Sequence, residues 1–166
     1  MLTSHELLGF MSPALALEIL NYAYESDKPL YRAALSSVAE ARKLRPVFLE
    51  RQPRAERHSA MLQTLTRPSL DLVTGNLIRA WLLKKYNSML CDFLDALGIT
   101  HKEGVVEDLP SSMDDAKLQS AVDALLLKYP PEAVAVYLNA FSDMNEVNWP
   151  GLKTILESDK RLQLGG

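Results

Sequence analysis

Two stretches of the chain concentrate side chains that could do chemistry. The first, RKLRPVFLERQPRAERHSAMLQTLTR (42–67), holds seven bases against two acids, a local charge of +5 in a chain of net charge −3. Read as helix, tight turn and helix, it sets Arg54, Arg57 and His58 on one face at i, i+3 and i+4. A recognition helix meets bases and phosphates with such N-terminal residues. Arg42, Arg45, Arg54, Arg57 and His58 are therefore the candidate contacts for a protein partner or a nucleic acid. Against nucleic acid stand the negative total charge and a turn with two prolines and no glycine. The other expectations are docking of an acidic protein, or internal pairing with the acidic end of the chain. Residues 92–166 carry thirteen acids and six bases, a net −7.

The second stretch is LGITHKEGVVEDLPSS (97–112). It joins two helical segments, and the 98–111 connection exceeds the ~2–8 residues usual between packed helices. His101, Glu103, Glu107 and Asp108, with Asp114 and Asp115 beyond, offer one imidazole and several carboxylates to a divalent metal. The spacing matches neither H-E-x-x-H nor the ordered carboxylates of a calcium loop. Val105, Val106 and Leu109 could instead pin the stretch to the core. The expectation is a packed, acid-bearing connector, and a metal-dependent enzyme using 101–115 is the less favoured reading.

Other nucleophiles and bases stand alone. Cys91 is the one cysteine, so no internal disulfide framework exists. With Asp92 beside it and no histidine near in sequence, it lacks the electropositive setting of a reactive thiol. His5 and His58 are isolated histidines on predicted helices. No G-x-S-x-G, Walker or dinucleotide motif appears. No catalytic residue and no cofactor are assigned.

The elements that must position these groups read as helices throughout. Thr3 and Glu6 form a capping box, with Leu2 and Leu7 as a hydrophobic staple. Ser12-Pro13 starts a helix reaching Ser26. Asp27 starts the next, with Pro29 in its first turn and Arg42 and Lys43 near its end. Pro46 and Pro53 bracket a single turn, and Pro53 opens a helix reaching about Leu65. The strongest signal is 69–97: Ile78, Leu82, Tyr86, Met89, Phe93 and Leu97 form one stripe at three- and four-residue steps, closed by Gly98. Ser112 is placed to cap a helix ending at Lys128. Pro131 and Pro150 start the last two, separated by a polar break at 145–148. SPALALEILNYAYES (12–26) echoes PPEAVAVYLNAFSDM (130–144), which reads as coincidence between amphipathic helices, since repeat arrays need more copies. The tail, KRLQLGG, reads as a frayed end.

No period-two segment sits beside hairpin chemistry, so the chain is expected to be all-α. The 166 residues fit one domain (1–166), a compact bundle of about seven helices around 69–97. A short superhelical stack of helical hairpins is the alternative. The N-terminus lacks the positive region of a secretory signal and carries Glu6, and no apolar run reaches membrane-spanning length. The expectation is a soluble cytoplasmic module that does no catalysis and binds protein, either a partner or itself, with no membrane contact. Nucleic-acid binding through 42–67 is the alternative.

Overall fold

The computed structural model describes residues 1–165. Several of its helices begin where side chains satisfy the exposed N–H groups of a first turn, and others begin on or after a proline. α1 (Ser4–Phe10) opens behind Thr3, whose N–H and hydroxyl donate to the Glu6 carboxylate at 3.1 and 2.6 Å. α2 (Pro13–Ser26) starts on proline, with the Ser12 hydroxyl accepting from Leu15 N–H at 3.2 Å. α3 (Lys28–Ala41) is capped by Asp27, which accepts from Leu30 N–H at 3.3 Å. Each such cap contributes about 1 kcal/mol. α4 (Pro46–Glu50) is the single turn between two prolines, and α5 (Arg54–Leu65) follows Pro53.

The 69–97 stripe is not one helix. A 3₁₀ turn (Pro68–Leu70) leads into α6 (Asp71–Lys85), and α7 (Asn87–Ala96) follows after a break at Tyr86. Tyr86 leaves helical geometry at φ −120°, ψ 30°. Asn87 and Ser88 are weak helix formers that favour caps, and the Asn87 amide donates to Glu103 O at 2.6 Å. A one-residue break hardly disturbs a stripe already stepping by three and four, so periodicity conceals it. α8 (Asp115–Lys128) starts two residues beyond the expected Ser112 cap. Asp114 is the cap, accepting from Lys117 N–H at 2.9 Å. α9 (Pro131–Met144) and α10 (Pro150–Ser158) both begin on proline. Among the described residues there are ten α-helices, not about seven, and the fold is all-α. The excess comes from the short α1 and α4 and from the break at Tyr86.

The chain forms two compact units, Thr3–Trp81 and Met1–Leu2 with the chain from Leu82 onward. In the first, α2, α3 and α5 pack on one another around fully buried Ile19, Leu20, Val38, Met61 and Leu65. Trp81 is buried there too, its indole N–H donating to Glu18 at 3.1 Å. In the second, α8 packs on α7, α9 and α10. There α9 is buried on every side from Ala133 to Ser142, the mark of a central helix. Phe93, Tyr137 and Phe141 meet edge-on or tilted, with centroids 5.5–5.9 Å apart.

The two echoing segments fold as α2 and α9, each of 14 residues with a leading proline. The aligned asparagines both accept with Oδ1, Asn139 from Leu2 N–H at 2.9 Å and Asn21 from groups on α5. The tail does not fray as expected. A 3₁₀ turn (Lys160–Leu162) buries Leu162, and the Gln163 amide donates to Leu156 O and Asp159 O. Its last residue, Gly166, lies outside the described residues. No helix among the described residues is long and apolar enough to cross a membrane.

Candidate functional site

The basic stretch folds as the end of α3, then α4, then α5, and most of its charge is used internally. Arg42 donates through Nε to Thr64 Oγ1 at 2.6 Å and through Nη2 to Ala60 O and Gln63, tying α3 to α5. Arg67 donates to Ala41 O at 3.3 Å. Arg54 lies 4.2 Å over the Tyr24 ring and donates to Asn21 and Glu25. Arg57 donates through Nε to the Tyr31 hydroxyl at 2.9 Å and through Nη1 to Glu50 O and Gln52 O. Arg45 precedes α4, exposed, and its side chain makes no hydrogen bond or ion pair among the described residues. Arg54, Arg57 and His58 thus come together as their spacing suggests, but toward α2 and α3.

His58 is 1% exposed, so it is not presented to a partner. Burial, then the nearby Arg57 and Arg54 charges, push its pKa down to about 4, leaving it neutral near pH 7. Its Nε2 lies 2.9 Å from the Tyr31 hydroxyl and its Nδ1 3.1 Å from Asn21 Oδ1. A neutral ring with Asn21 as acceptor must carry its proton on Nδ1. Nε2 then accepts from Tyr31 O–H, which itself accepts from Arg57. The hydrogen bonds run one way, from Arg57 through Tyr31 and His58 to Asn21. The rings of Tyr24, Tyr31 and His58 pack at 5.1–5.5 Å between centroids. Burial raises the Tyr31 phenol above its usual range, although the Arg57 bond pulls the other way.

Outside this network lies a cleft of about 540 Å³, lined by Tyr24, Lys28, Tyr31, Arg32, Leu35, Ser36, Glu50 and Arg57. Lys28 and Arg32 are exposed, and their side chains make no hydrogen bond or ion pair among the described residues. Sequence reasoning assigned neither, nor Asn21, Tyr24 or Tyr31. The available signal was Lys28 and Arg32 at i, i+4 beside Tyr31 on α3, which carries Pro29 in its first turn. Next to the cleft, the α3–α5 connection exposes three large apolar side chains: Leu44 (41%), Val47 (39%) and Phe48 (53%). Lys43, Arg45 and Arg51 interleave with them, exposed, their side chains without partners among the described residues. Leu44 and Lys43 also border an open depression with Arg42 and Arg67.

The second candidate stretch is a braced connector. Glu103 (φ 51°) and Gly104 (φ 88°) form a two-residue turn with both φ positive, closed by Lys102 N–H to Val105 O at 2.9 Å and Val105 N–H to Lys102 O at 3.0 Å. This is primed-turn geometry without regular strands. His101 braces it, accepting from Gly104 N–H on Nδ1 at 3.0 Å and facing Asp95 with Nε2 at 2.7 Å. The Trp149 indole N–H donates to Pro110 O at 2.9 Å. Val105 is exposed and Val106 and Leu109 are half-buried, so polar anchors and buried Ile99 do most of the holding. Asp108 lines a separate depression with Asp114 and Lys117. Among the described residues no three His, Cys, Asp or Glu side chains converge as a metal site would require, so His101, Glu103, Glu107 and Asp108 are not brought together.

The remaining reactive groups are restrained. Burial, then Asp95, Asp92 and Glu103, push the Cys91 thiol up, against thiolate formation. His5 Nδ1 lies 2.6 Å from Asp71, which also accepts from His5 N–H at 2.9 Å. Burial pulls Asp71 upward, but the His5 bonds outweigh it and hold the carboxyl below its ordinary value. Asp71 thus caps α1 with a charge-assisted bond. The sequence matches no protein-family model, no curated protein and no solved structure.

Proposed function

We propose that the chain is a cytoplasmic protein-interaction module that does no catalysis and docks an acidic, apolar segment of a partner protein on the ridge 43–51. The observation that carries this is the ridge itself, with Leu44, Val47 and Phe48 exposed together among Lys43, Arg45 and Arg51. Single exposed apolar side chains are ordinary on a surface, whereas Leu44, Val47 and Phe48 stand close together along the chain among cations, which supports an interaction site. Aromatic anchors surrounded by polar groups dominate interface energetics. Unpaired cations of one sign favour an acidic partner and speed its encounter. The nucleic-acid reading draws less support, because Arg42 is committed to internal bonds and His58 is buried.

Selection from a displayed random-peptide library tests this, run on the wild type and on the Val47→Ser/Phe48→Ser variant. Enrichment of acidic peptides bearing Leu, Phe or Trp, lost in the variant, is the expected result. No enrichment, or enrichment that the variant leaves unchanged, overturns the reading. So does tight binding of mixed-sequence duplex DNA that weakens steeply between about 50 and 200 mM salt. A mass that rises with concentration, abolished in the same variant, would replace the partner with a second copy of the chain.

A further inference from the structure

We propose that the cleft beside Tyr31 binds a phosphate monoester, with its phosphoryl group held by Lys28, Arg32 and Arg57. The first argument is uncompensated charge. Three cations and one carboxylate, Glu50, line the cleft, and neither Lys28 nor Arg32 has a partner among the described residues. Lys28 and Arg32 stand at i, i+4 on α3, where like charges destabilise a helix. Lys28 is also the first residue of α3, at the positive end of the helix dipole, where a cation is unfavourable. Placements that weaken a fold without internal compensation concentrate at functional sites. A dianion between the two side chains relieves both conflicts.

The second argument is preorganisation. Arg57 is held by its bonds to the Tyr31 hydroxyl and to the Glu50 and Gln52 carbonyls, and Tyr31 is held in turn by His58. Nη2 of Arg57 makes no bond among the described residues, so both its N–H groups remain for an anion on a guanidinium that is already fixed. Rigid guanidinium donors suit phosphate geometry. The net +2 of the lining matches a phosphate monoester, which carries close to two charges near pH 7. A carboxylate would neutralise only half of it.

The third argument is the rest of the wall. Leu35 and the Tyr24 ring give the cleft an apolar side, and the Ser36 hydroxyl is a further donor. Its volume of about 540 Å³ lies within the ~300–1,000 Å³ of small-molecule sites. Inorganic phosphate would leave the apolar wall wet, whereas a monoester with a hydrocarbon or aromatic body covers it. The cleft shares Glu50 with the ridge, but Lys28, Arg32 and Arg57 lie outside it, so phosphate binding does not need Leu44, Val47 or Phe48.

Phenyl phosphate, inorganic phosphate and phenol, each titrated into the full ¹⁵N-labelled chain near pH 7.5, test the proposal by amide chemical shifts. Saturable shifts around Tyr24, Arg32, Ser36 and Arg57 are expected with phenyl phosphate, at an affinity about tenfold or more above either fragment, or over 1.4 kcal/mol. Lys28→Glu with Arg32→Glu should weaken binding by about tenfold or more without lowering the Tm, since neither side chain braces the fold and an acid suits the start of α3. No saturable shift, shifts located elsewhere, or equal affinity in the double variant overturns the site. Equal affinity for inorganic phosphate overturns the monoester.

Discussion

Acidification should loosen the unit that holds His58 well before its carboxylates titrate. An unfolded histidine titrates near pH 6.5, whereas in the fold burial, then Arg57 and Arg54, push His58 down to about 4. Between those values the unfolded chain binds the proton and the folded chain refuses it. Stability is therefore full above about pH 6.5 and is lost as pH falls toward 4. The whole shift is worth on the order of 3 kcal/mol, and about 2 kcal/mol of it falls between pH 7 and pH 5. The depressed carboxyls, Asp71, Asp92, Asp123 and Asp159, and Glu6, lose their contribution only near and below their own unfolded values, so that interval isolates histidine. Urea unfolding followed by Trp81 fluorescence in a Trp149→Phe background reports on the right unit, because Trp81 is buried there. At the scale of a chain this long, the Tm should drop by about 4–8 °C. His58→Gln should start about 1 kcal/mol less stable from lost hydrogen bonding and show a shallower pH dependence. A wild type equally stable at pH 7 and pH 5, or an undiminished slope in His58→Gln, refutes the buried neutral histidine.

Three further outcomes can be read by urea unfolding, through Trp81 for Lys43 and, in a Trp81→Phe background, through buried Trp149 for Tyr137 and Gly104, which lie in the other unit. Tyr137→Phe should stabilise by about 1 kcal/mol, because the Tyr137 hydroxyl is buried without a hydrogen-bond partner and its removal ends a desolvation cost; a destabilised variant would reveal a hidden partner. Lys43→Gly should stabilise by about 0.5–1 kcal/mol. Lys43 closes α3 at φ 57°, where Leu44 N–H returns to Ala39 O at 2.8 Å, and no change would mean the left-handed residue carries no strain. Gly104→Ala should cost about 2 kcal/mol, since its φ is 88° and a Cβ would stand 3.0 Å from Leu90 Cβ; a neutral result would mean the connector is not held against α7.

The local grammar of this chain was legible because its causes are local. Ser12-Pro13, Asp27-Pro29, Pro131 and Pro150 mark helix starts through a fixed proline φ and a side-chain acceptor within one turn, and nothing distant alters that chemistry. The all-α class follows from the same signals. What the tertiary structure decided was the use of each charge and ring. Arg42 and Arg57 read as surface cations, yet packing turned them inward as braces, because carbonyls of α4 and α5 and the Tyr31 hydroxyl lay within reach of a guanidinium. His58 is an unremarkable histidine in sequence; its neutral state follows from burial, then from Arg57 and Arg54, and its tautomer from Asn21 and Tyr31, 37 and 27 residues away. The break at Tyr86 depends on a bond from Asn87 to Glu103, 16 residues on. Lys28 and Arg32 became candidates only once α2, α4 and α5 enclosed the space beside them. Periodicity and caps report what one helix does alone; burial, protonation and the shape of a cleft belong to the packed chain.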